Sequence, residues 1–350
     1  MIDGPVSLAH ALTARVGARL NTRASFAPTR FVWSRGLALL CDRNGGFDFV
    51  RKQRGSGRAA LRFDPAAYEG MRDGDLVWVR LTALPQFIAE VLPSIRARIA
   101  LVTGDEDVAV PSQVEGASEI LANEHILCWF TQNLDGTQTS DKLFPIPIGI
   151  NFHTISHGRR WGHLQATPRR QEAELVAMRA AMLPNAMRRV RVHADFHFNK
   201  HANQRLGDSR DEVHAMLAAN PCVDFQRKKV SRMALWREKT KYAFVVSPHG
   251  HGLDCHRTWE SLALGNIVIV KRSSLDPLYE GLPVVIVQDW QDITAENLGR
   301  WHLEYRRACS AGELEQRLTN HYWITRMHRL LAERMQPSIS TSSPAVRPLP

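Results

Sequence analysis

Short apolar runs alternate with helix-like segments along most of the chain, and this alternation restricts the fold more than any other feature. The strand-like runs of the first half are Phe31–Leu40, Asp75–Leu81, Arg98–Thr103, His125–Phe130 and Leu143–Ile150. Those of the second half are Val190–Ala194, Cys222–Phe225, Tyr242–Ser247, Ile267–Val270 and Val284–Val287. Such alternation is typical of βαβ units and predicts an α/β fold, with parallel sheets covered by helices on both faces.

The alternation falls into two blocks, which a polar segment rich in Arg, His and Gln separates at residues 151–185. The 350 residues have the length of about two domains. We therefore predict an N-terminal domain over residues 1–185 and a C-terminal domain over residues 186–335, with helices near the end. Ser, Thr and Pro dominate residues 336–350, so we expect a disordered tail there. In open parallel sheets ligands bind beyond the carboxyl ends of the strands, so functional residues should directly follow strands.

Charge is the one skewed property of the composition. The 45 Lys and Arg residues outnumber the 35 Asp and Glu residues, which gives a formal net charge of +10. Such an excess favours anionic partners, whether nucleic acid, phosphorylated small molecules or an anionic membrane surface. The basic residues are spread along the chain, which equally fits a solvated basic surface. Because no zinc-finger, RNP or helix-turn-helix pattern accompanies them, we expect no nucleic-acid partner.

Cysteine usage and the N-terminus bear on the compartment. The five cysteines are odd in number and form no CxxC pair, a pattern that favours free thiols in a reducing compartment. The N-terminus lacks the apolar core of a signal peptide, and no stretch approaches 18 apolar residues. We expect a cytoplasmic protein without a membrane span, for which peripheral contact with the inner membrane face stays open.

The segment Phe244–Lys271, FVVSPHGHGLDCHRTWESLALGNIVIVK, carries most of the candidate chemistry. An apolar strand ends at Ser247, and Gly250 and Gly252 then allow close approach of the backbone to another group. Asp254 stands where the N-cap of the following helix is expected. A strand, a glycine-containing loop and a helix N-terminus together form an anion site, because free N–H groups and the helix dipole both face the loop.

Two charged residues begin the predicted helix. Arg257 and Glu260 are spaced i, i+3 and so share one side of it. The planar fork of an arginine suits a phosphate, and a carboxylate suits the vicinal hydroxyls of a ribose or a sugar. The pattern therefore predicts a site for a nucleotide-sugar diphosphate. The alternative is a tight turn in which Arg257 and Glu260 form a structural ion pair with each other.

The stretch SPHGHGLDCHRTWESLALGNIVIVKRSSLDPLYEGLPVVIVQDW resembles the C-terminal part of exostosin-like glycosyltransferases. In the first half, ALVTGDEDVAVP, HILCWFTQNLDG and KLFPIPIGIN are similar to the acceptor-side domain of bacterial and viral members. The resemblance implies a GT-B architecture, in which two Rossmann-like domains face a cleft. It further implies a transferase for polysaccharide biosynthesis that moves a sugar from a UDP- or GDP-sugar, held by the C-terminal domain, to a glycan or cell-surface acceptor. No metal or other cofactor is expected.

The resemblance also assigns roles to the donor site. Arg257 would contact the donor diphosphate, and Glu260 the ribose or the donor sugar. Ser247, His249 and Gly250 would line the donor pocket. His249 can stabilise a leaving phosphate only when protonated, which would make activity sensitive to pH.

A second charged segment, ADFHFNKHANQR, follows the first strand of the second half. Lys200 and Arg205 could complete a cationic clamp on the diphosphate, because without a metal such cations must neutralise the departing nucleotide. The alternative is a solvated charged loop.

The candidate catalytic residues are Asp105 and Asp107. They follow the predicted strand Arg98–Thr103, at the end that should face the cleft. Direct displacement needs a base that takes the proton of the acceptor hydroxyl, and a carboxylate can serve. The alternatives are a capped acidic loop and a retaining reaction, which needs no single base.

Histidines cluster near the same segments. His249, His251, Cys255 and His256 lie within eight residues, but they lack a distant partner pair with zinc-ligand spacing, so we expect no metal site. The alternative function is that of a non-catalytic protein that binds an anionic ligand, either nucleic acid or glycan. The acceptor, the donor sugar and base, the stereochemical course and the oligomeric state stay open.

Overall fold

A computed structural model describes residues 29–45, 63–196, 207–310 and 312–336 of the chain. Lys200, Arg205 and the predicted tail beyond Gln336 lie outside the described residues. The first described element corrects one prediction, because Phe31–Leu40 does not form a strand. Helix α1 (Ser34–Leu40) occupies most of that run, since a short buried apolar run fits a buried helix as well as a strand.

The first sheet contains four parallel strands in sequence order, β1 (Leu76–Arg80), β2 (Ile99–Gly104), β3 (Ile126–Thr131) and β4 (Leu143–Pro145). Helices α2 (Leu84–Glu90) and α3 (Ala117–Ala122) connect them. Strand β4 is shorter than the predicted run Leu143–Ile150, because prolines at 145 and 147 withhold the N–H donors that pairing needs.

Two helices lie in the polar segment between the sheets, α4 (His153–Ser156) and α5 (Pro168–Ala181). Thr167 caps α5 by accepting a hydrogen bond from the backbone N–H of Arg170, and Pro168 occupies the first helical position. Proline suits this position because its missing N–H would have no partner within the helix.

The second sheet has five parallel strands, β5 (Arg189–Ala194), β6 (Val223–Phe225), β7 (Tyr242–Val246), β8 (Ile267–Lys271) and β9 (Val284–Val287). Their order is β6-β5-β7-β8-β9, the doubly wound order 2-1-3-4-5. The order in which successive strands are added therefore reverses between β5 and β7, and ligands bind at such a switch point. The connecting helices are α6 (Arg210–Leu217), α7 (Arg232–Lys239) and α8 (His256–Ala263).

Three helices end the described chain, α9 (Ala295–Tyr305), α10 (Gly312–Arg317) and α11 (Asn320–Met335). Helix α11 returns to the N-terminal half, where it packs on β2, β3 and α1. The domain boundaries predicted at 185 and 335 stay predictions, and the structure adds that the last helix joins the packing of the first sheet. Short 3-10 turns complete the fold at Pro65–Tyr68, Leu81–Ala83, Leu92–Ser94, Asn185–Met187, Asp276–Tyr279, Trp290–Asp292 and Ala308–Ser310.

One apolar core joins the two sheets. Trp78 and Phe130 of the first sheet, Val268 of the second and Met327 of α11 belong to a single buried cluster. Alternate residues of β1 point to opposite faces, so that Val77 packs instead into a separate outer core with α2 and α3. The predicted fold class is confirmed: the chain forms two Rossmann-like α/β domains that face a cleft, with helices at the C-terminal end. No described helix combines the length and the apolar composition needed to cross a membrane.

Candidate ligand-binding cleft between the domains

The cleft consists of two adjoining cavities, of about 580 Å³ and about 670 Å³. We call the first the acidic cavity, because Asp105, Glu106 and Asp107 line it together with Arg35, Arg80 and the loop at residues 250–255. We call the second the basic cavity, because Lys228, Lys229, Arg232 and Lys239 line it together with the aromatic ring of Trp236. Four residues line both cavities and so mark the junction between them: Asn151, Trp161, His256 and Arg257.

A buried charge cluster lies at the switch point of the second sheet. Asp195 directly follows β5, and its carboxylate accepts contacts from Lys239 Nζ at 2.9 Å and Arg257 Nε at 3.1 Å. Burial alone would raise the pKa of Asp195, but the charges of Lys239 and Arg257 outweigh it and lower that pKa to about 2. One carboxylate therefore holds two cations beside the junction of the cavities.

The two residues at the start of α8 have separate partners. Arg257 pairs with Asp195, whereas Glu260 accepts hydrogen bonds from Arg232 Nη2 at 3.0 Å and Trp236 Nε1 at 3.2 Å. The alternative interpretation, an ion pair between Arg257 and Glu260, is therefore not what the structure shows. Arg257 stands at the junction and Glu260 on the wall of the basic cavity.

Only some of the predicted ligand residues in the loop after β7 line a cavity. Gly250, Gly252 and Asp254 line the acidic cavity. Ser247 and His249 are not among the described residues that line either cavity, since both side chains turn into the loop and are buried. Ser247 Oγ bonds to Thr258 Oγ1 at 2.9 Å.

His249 stabilises the loop through a hydrogen bond between two of its residues. Its Nδ1 donates to the carbonyl of Leu253 at 2.8 Å, and burial lowers its pKa. A lowered pKa opposes protonation of the imidazole, which argues against a role of its charge in stabilising a leaving phosphate.

Asp254 is not the N-cap of α8. The helix begins at His256 with Cys255 as its N-cap and no side-chain cap. The carboxylate of Asp254 accepts hydrogen bonds from Trp259 Nε1 at 2.8 Å and from the backbone N–H of Ile148 at 2.7 Å, so it ties the loop to the first domain. Burial raises the pKa of Asp254 to about 6, although these hydrogen bonds oppose the rise. The N–H groups in the first turn of α8 consequently remain without a side-chain cap beside the acidic cavity.

The three acidic residues after β2 differ in their surroundings. Asp105 lies 3.3 Å from Arg35 Nε and 3.3 Å from Arg80 Nε, and these guanidinium groups lower its pKa although burial opposes them. Glu106 pairs with Arg80, while burial raises its pKa. Asp107 is exposed and has no ion pair with any residue that the structure describes.

Two imidazoles also line the acidic cavity. The rings of His153 and His256 lie 5.4 Å apart between centroids, and His256 Nδ1 donates to the carbonyl of Gly149 at 2.7 Å. Burial and the neighbouring His256 lower the pKa of His153 to about 3. Over the described ranges, no group of three or more His, Cys, Asp or Glu side chains could hold a metal ion.

The sequence analysis missed several residues of this cleft. Asp195 follows a predicted strand, so the rule that functional residues follow strands could have selected it. Arg232 and Lys239 lie on α7, and the sequence of this helix gives no sign that it faces a ligand. Trp161 lies in the segment that we interpreted only as a polar connection.

Comparison with known proteins adds little to this geometry. No protein-family model and no curated protein matches the sequence. A UDP-forming α,α-trehalose-phosphate synthase from Burkholderia xenovorans is 12% identical, with a TM-score of 0.40 over 78% of this chain and 77% of that chain. The catalytic domain of starch synthase IV from Arabidopsis thaliana, bound to ADP and acarbose, is 9% identical, with a TM-score of 0.32 over 76% of this chain and 74% of that chain. At such TM-scores these similarities carry no weight for function, and the resemblance to exostosin-like enzymes stays a prediction.

Proposed function

We propose that this protein is a glycosyltransferase that transfers a sugar from a nucleotide-sugar donor, a UDP- or GDP-sugar, to a glycan or cell-surface acceptor. The observation that carries the proposal is the position of Arg257. It stands at the switch point of the second sheet and lines both the acidic and the basic cavity. This is where a doubly wound sheet binds its ligand.

The diphosphate of the donor fits this junction. Asp195 neutralises only one of the two cations that contact it, so the Asp195–Lys239–Arg257 cluster keeps an excess positive charge. The N–H groups at the start of α8 add partial positive charge on the same side. Fixed donors in a buried site stabilise charge that develops on a leaving group, which is what release of a nucleoside diphosphate requires.

The basic cavity fits the nucleoside. Val230 and Leu235 give it an apolar wall, against which a nucleobase can pack. The carboxylate of Glu260 already accepts two hydrogen bonds, yet its two oxygens provide about four acceptor positions, so a ribose hydroxyl can still donate to it.

The acidic cavity fits the acceptor. In a direct displacement the acceptor hydroxyl oxygen attacks the anomeric carbon, the bond from that carbon to the phosphate oxygen breaks, and a base takes the hydroxyl proton. Of the two predicted bases, Asp107 suits this role better, because it is exposed on the cavity wall. Asp105 is held by Arg35 and Arg80, so we assign it the positioning of those side chains. Metal independence, a cytoplasmic location and contact with the inner membrane face belong to the same proposal, and the five free cysteines support a reducing compartment.

Thermal shift with nucleotides tests the proposal. The protein is heated with UDP, GDP, ADP, CMP or dTDP, with and without EDTA. A ligand at 100 times its Kd stabilises the native state by about 2.7 kcal/mol, so UDP or GDP should raise Tm and EDTA should not abolish the rise. Arg257→Ala should lose the rise, whereas Arg272→Ala, an exposed arginine outside both cavities, should keep it. No rise with any nucleotide would favour the non-catalytic anion-binding alternative.

A further inference from the structure

Trp161 is an exception among the tryptophans of this chain. The sequence contains nine, and eight are buried. Trp161 is 45% exposed, and it lines both the acidic and the basic cavity. A large aromatic ring is thus presented to the solvent at the one place where the two cavities meet.

The backbone at Trp161 is unsuited to a tryptophan. Arg160 and His163 exchange two backbone hydrogen bonds, of 3.2 Å and 2.8 Å, around a two-residue hairpin turn. The φ angles of Trp161 and Gly162 are 50° and 66°. Turns with two positive φ angles favour Asn, Asp or Gly at the first position, and a bulky residue there is a genuine outlier.

The turn is fixed against the second domain. The carbonyl of Trp161 accepts the backbone N–H of Arg232 at 3.0 Å. A Cβ added at Gly162 would come within 3.0 Å of Ser231 Cβ, so Gly162 also packs closely there. Because the backbone is anchored in this way, the indole is held over the junction, although it stabilises neither the turn nor the core. This arrangement indicates a ligand-binding role.

The chemistry of the junction identifies the ligand group. If the diphosphate lies on Arg257, the sugar bonded to it must lie beside the same residue. It then lies between the nucleoside in the basic cavity and the catalytic base in the acidic cavity. A pyranose ring has one face of C–H groups, which packs against the electron-rich face of an indole. Asn151 and His256, the other junction residues, are polar and suit the hydroxyl edge of a sugar.

We infer that Trp161 is a stacking platform for the sugar ring of the nucleotide-sugar donor and contributes to its specificity. This inference rests on the proposed function and adds a residue that contacts the transferred group. It assigns the nucleoside and the phosphates to other residues, so binding of the nucleotide and binding of its sugar become separable.

Calorimetric titration of Trp161→Ala and Trp161→Phe tests the inference, with UDP against UDP-glucose and GDP against GDP-mannose as probes. For the pair that the wild-type protein binds, Trp161→Ala should leave the Kd of the nucleoside diphosphate within about twofold. It should weaken the nucleotide-sugar about tenfold, as expected for loss of one aromatic contact. Trp161→Phe, which keeps an aromatic face, should retain most of the affinity. In the wild type, the nucleotide-sugar should protect the exposed tryptophan from acrylamide quenching, and the nucleoside diphosphate should not.

Other outcomes overturn the inference in distinguishable ways. If Trp161→Ala weakened the nucleoside diphosphate and its nucleotide-sugar equally, Trp161 would contact the nucleobase or the phosphates. If it weakened neither ligand, Trp161 would not belong to the binding site. Failure of the wild-type protein to bind any of the four ligands would overturn the proposed function itself. Trp161→Gly separates binding from folding, because glycine is unstrained at this φ. We expect its Tm to equal or exceed that of the wild type while the nucleotide-sugar binds about tenfold more weakly, as in Trp161→Ala; a lower Tm would mark Trp161 as structural.

Discussion

At the scale of the residue, the central arrangement is one carboxylate between two cations. Lys239 is 1% exposed and Asp195 9% exposed, so both charges are largely removed from water. Burying charge is costly unless it is paired, and here the pairing is incomplete because Arg257 and Lys239 share a single partner. A bound diphosphate would complete it. The positive charge that Asp195 leaves unpaired therefore affects both the stability of the free protein and the binding of a diphosphate.

Asp195→Asn tests this arrangement through its pH dependence. The pKa of Asp195 is lowered from 3.8 to about 2, so the stabilisation is present above pH 3.8 and is lost as pH falls toward 2. A pKa lowered from 3.8 to about 2 corresponds to roughly 2 kcal/mol of stabilisation of the folded state. Urea unfolding at pH 7 should show Asp195→Asn to be less stable than the wild type by at least about that amount, and the gap should narrow at pH 3. A gap that stays constant from pH 7 to pH 3 would mean that the charge of Asp195 is not its cause.

Little of this cluster could be predicted from the sequence. Arg257 was selected because it begins a helix after a glycine-containing loop, which is a local signal. Its partners Asp195 and Lys239 are distant in sequence, and only the order of the strands brings them together. The same reason explains why the sequence could not identify Arg232 as the partner of Glu260.

At the scale of the element, the loop from Ser247 to Cys255 is held between the domains. The backbone N–H of Asp254 donates to Asn133 Oδ1 at 2.9 Å, and Asn133 in turn donates to the carbonyl of Glu106 at 3.0 Å. The sequence predicted that Gly252 allows a close approach, and the structure identifies Asn133 as the group that approaches. The strand before this loop was predicted to end at Ser247 and ends at Val246, because an apolar run is a local property of the sequence.

Gly252→Ala tests the close approach. A Cβ at this position would lie 2.6 Å from Asn133 Oδ1, and the hydrogen bonds of Asn133 hinder its movement. Overpacking of this kind typically costs about 1–3 kcal/mol, which denaturant unfolding can measure. Gly299→Ala is the matched control, because nothing lies within 4 Å of the added Cβ and alanine favours the interior of α9. Equal stability of the two variants would argue against a tight loop.

At the scale of the whole molecule, the two sheets are not independent units. Their facing sides share one apolar core, and α11 carries the end of the described chain back to the first sheet. The alternation of strands and helices was enough to predict two parallel sheets. It could not predict that the last helix crosses between them, because helix α11 has the same amphipathic pattern wherever it packs.

The shared core predicts one cooperative unfolding transition. In differential scanning calorimetry the van't Hoff enthalpy should equal the calorimetric enthalpy, as expected when no intermediate is populated. Met327→Ala, which empties a buried position of α11, should lower the single Tm by removing about 2–5 kcal/mol without splitting the transition. Two resolved transitions in either protein would show that the sheets unfold separately.

The measurement that tests the central claim most directly is the release of nucleoside diphosphate from a nucleotide-sugar during incubation with the protein, with water or an added glycan as acceptor. UDP-glucose and GDP-mannose are the first donors to compare. We predict release above the buffer rate for at least one donor, retained by Arg272→Ala and lost by Arg257→Ala. Binding of the nucleoside diphosphate without release from any nucleotide-sugar would contradict the account and identify the cleft as a binding site without transferase activity.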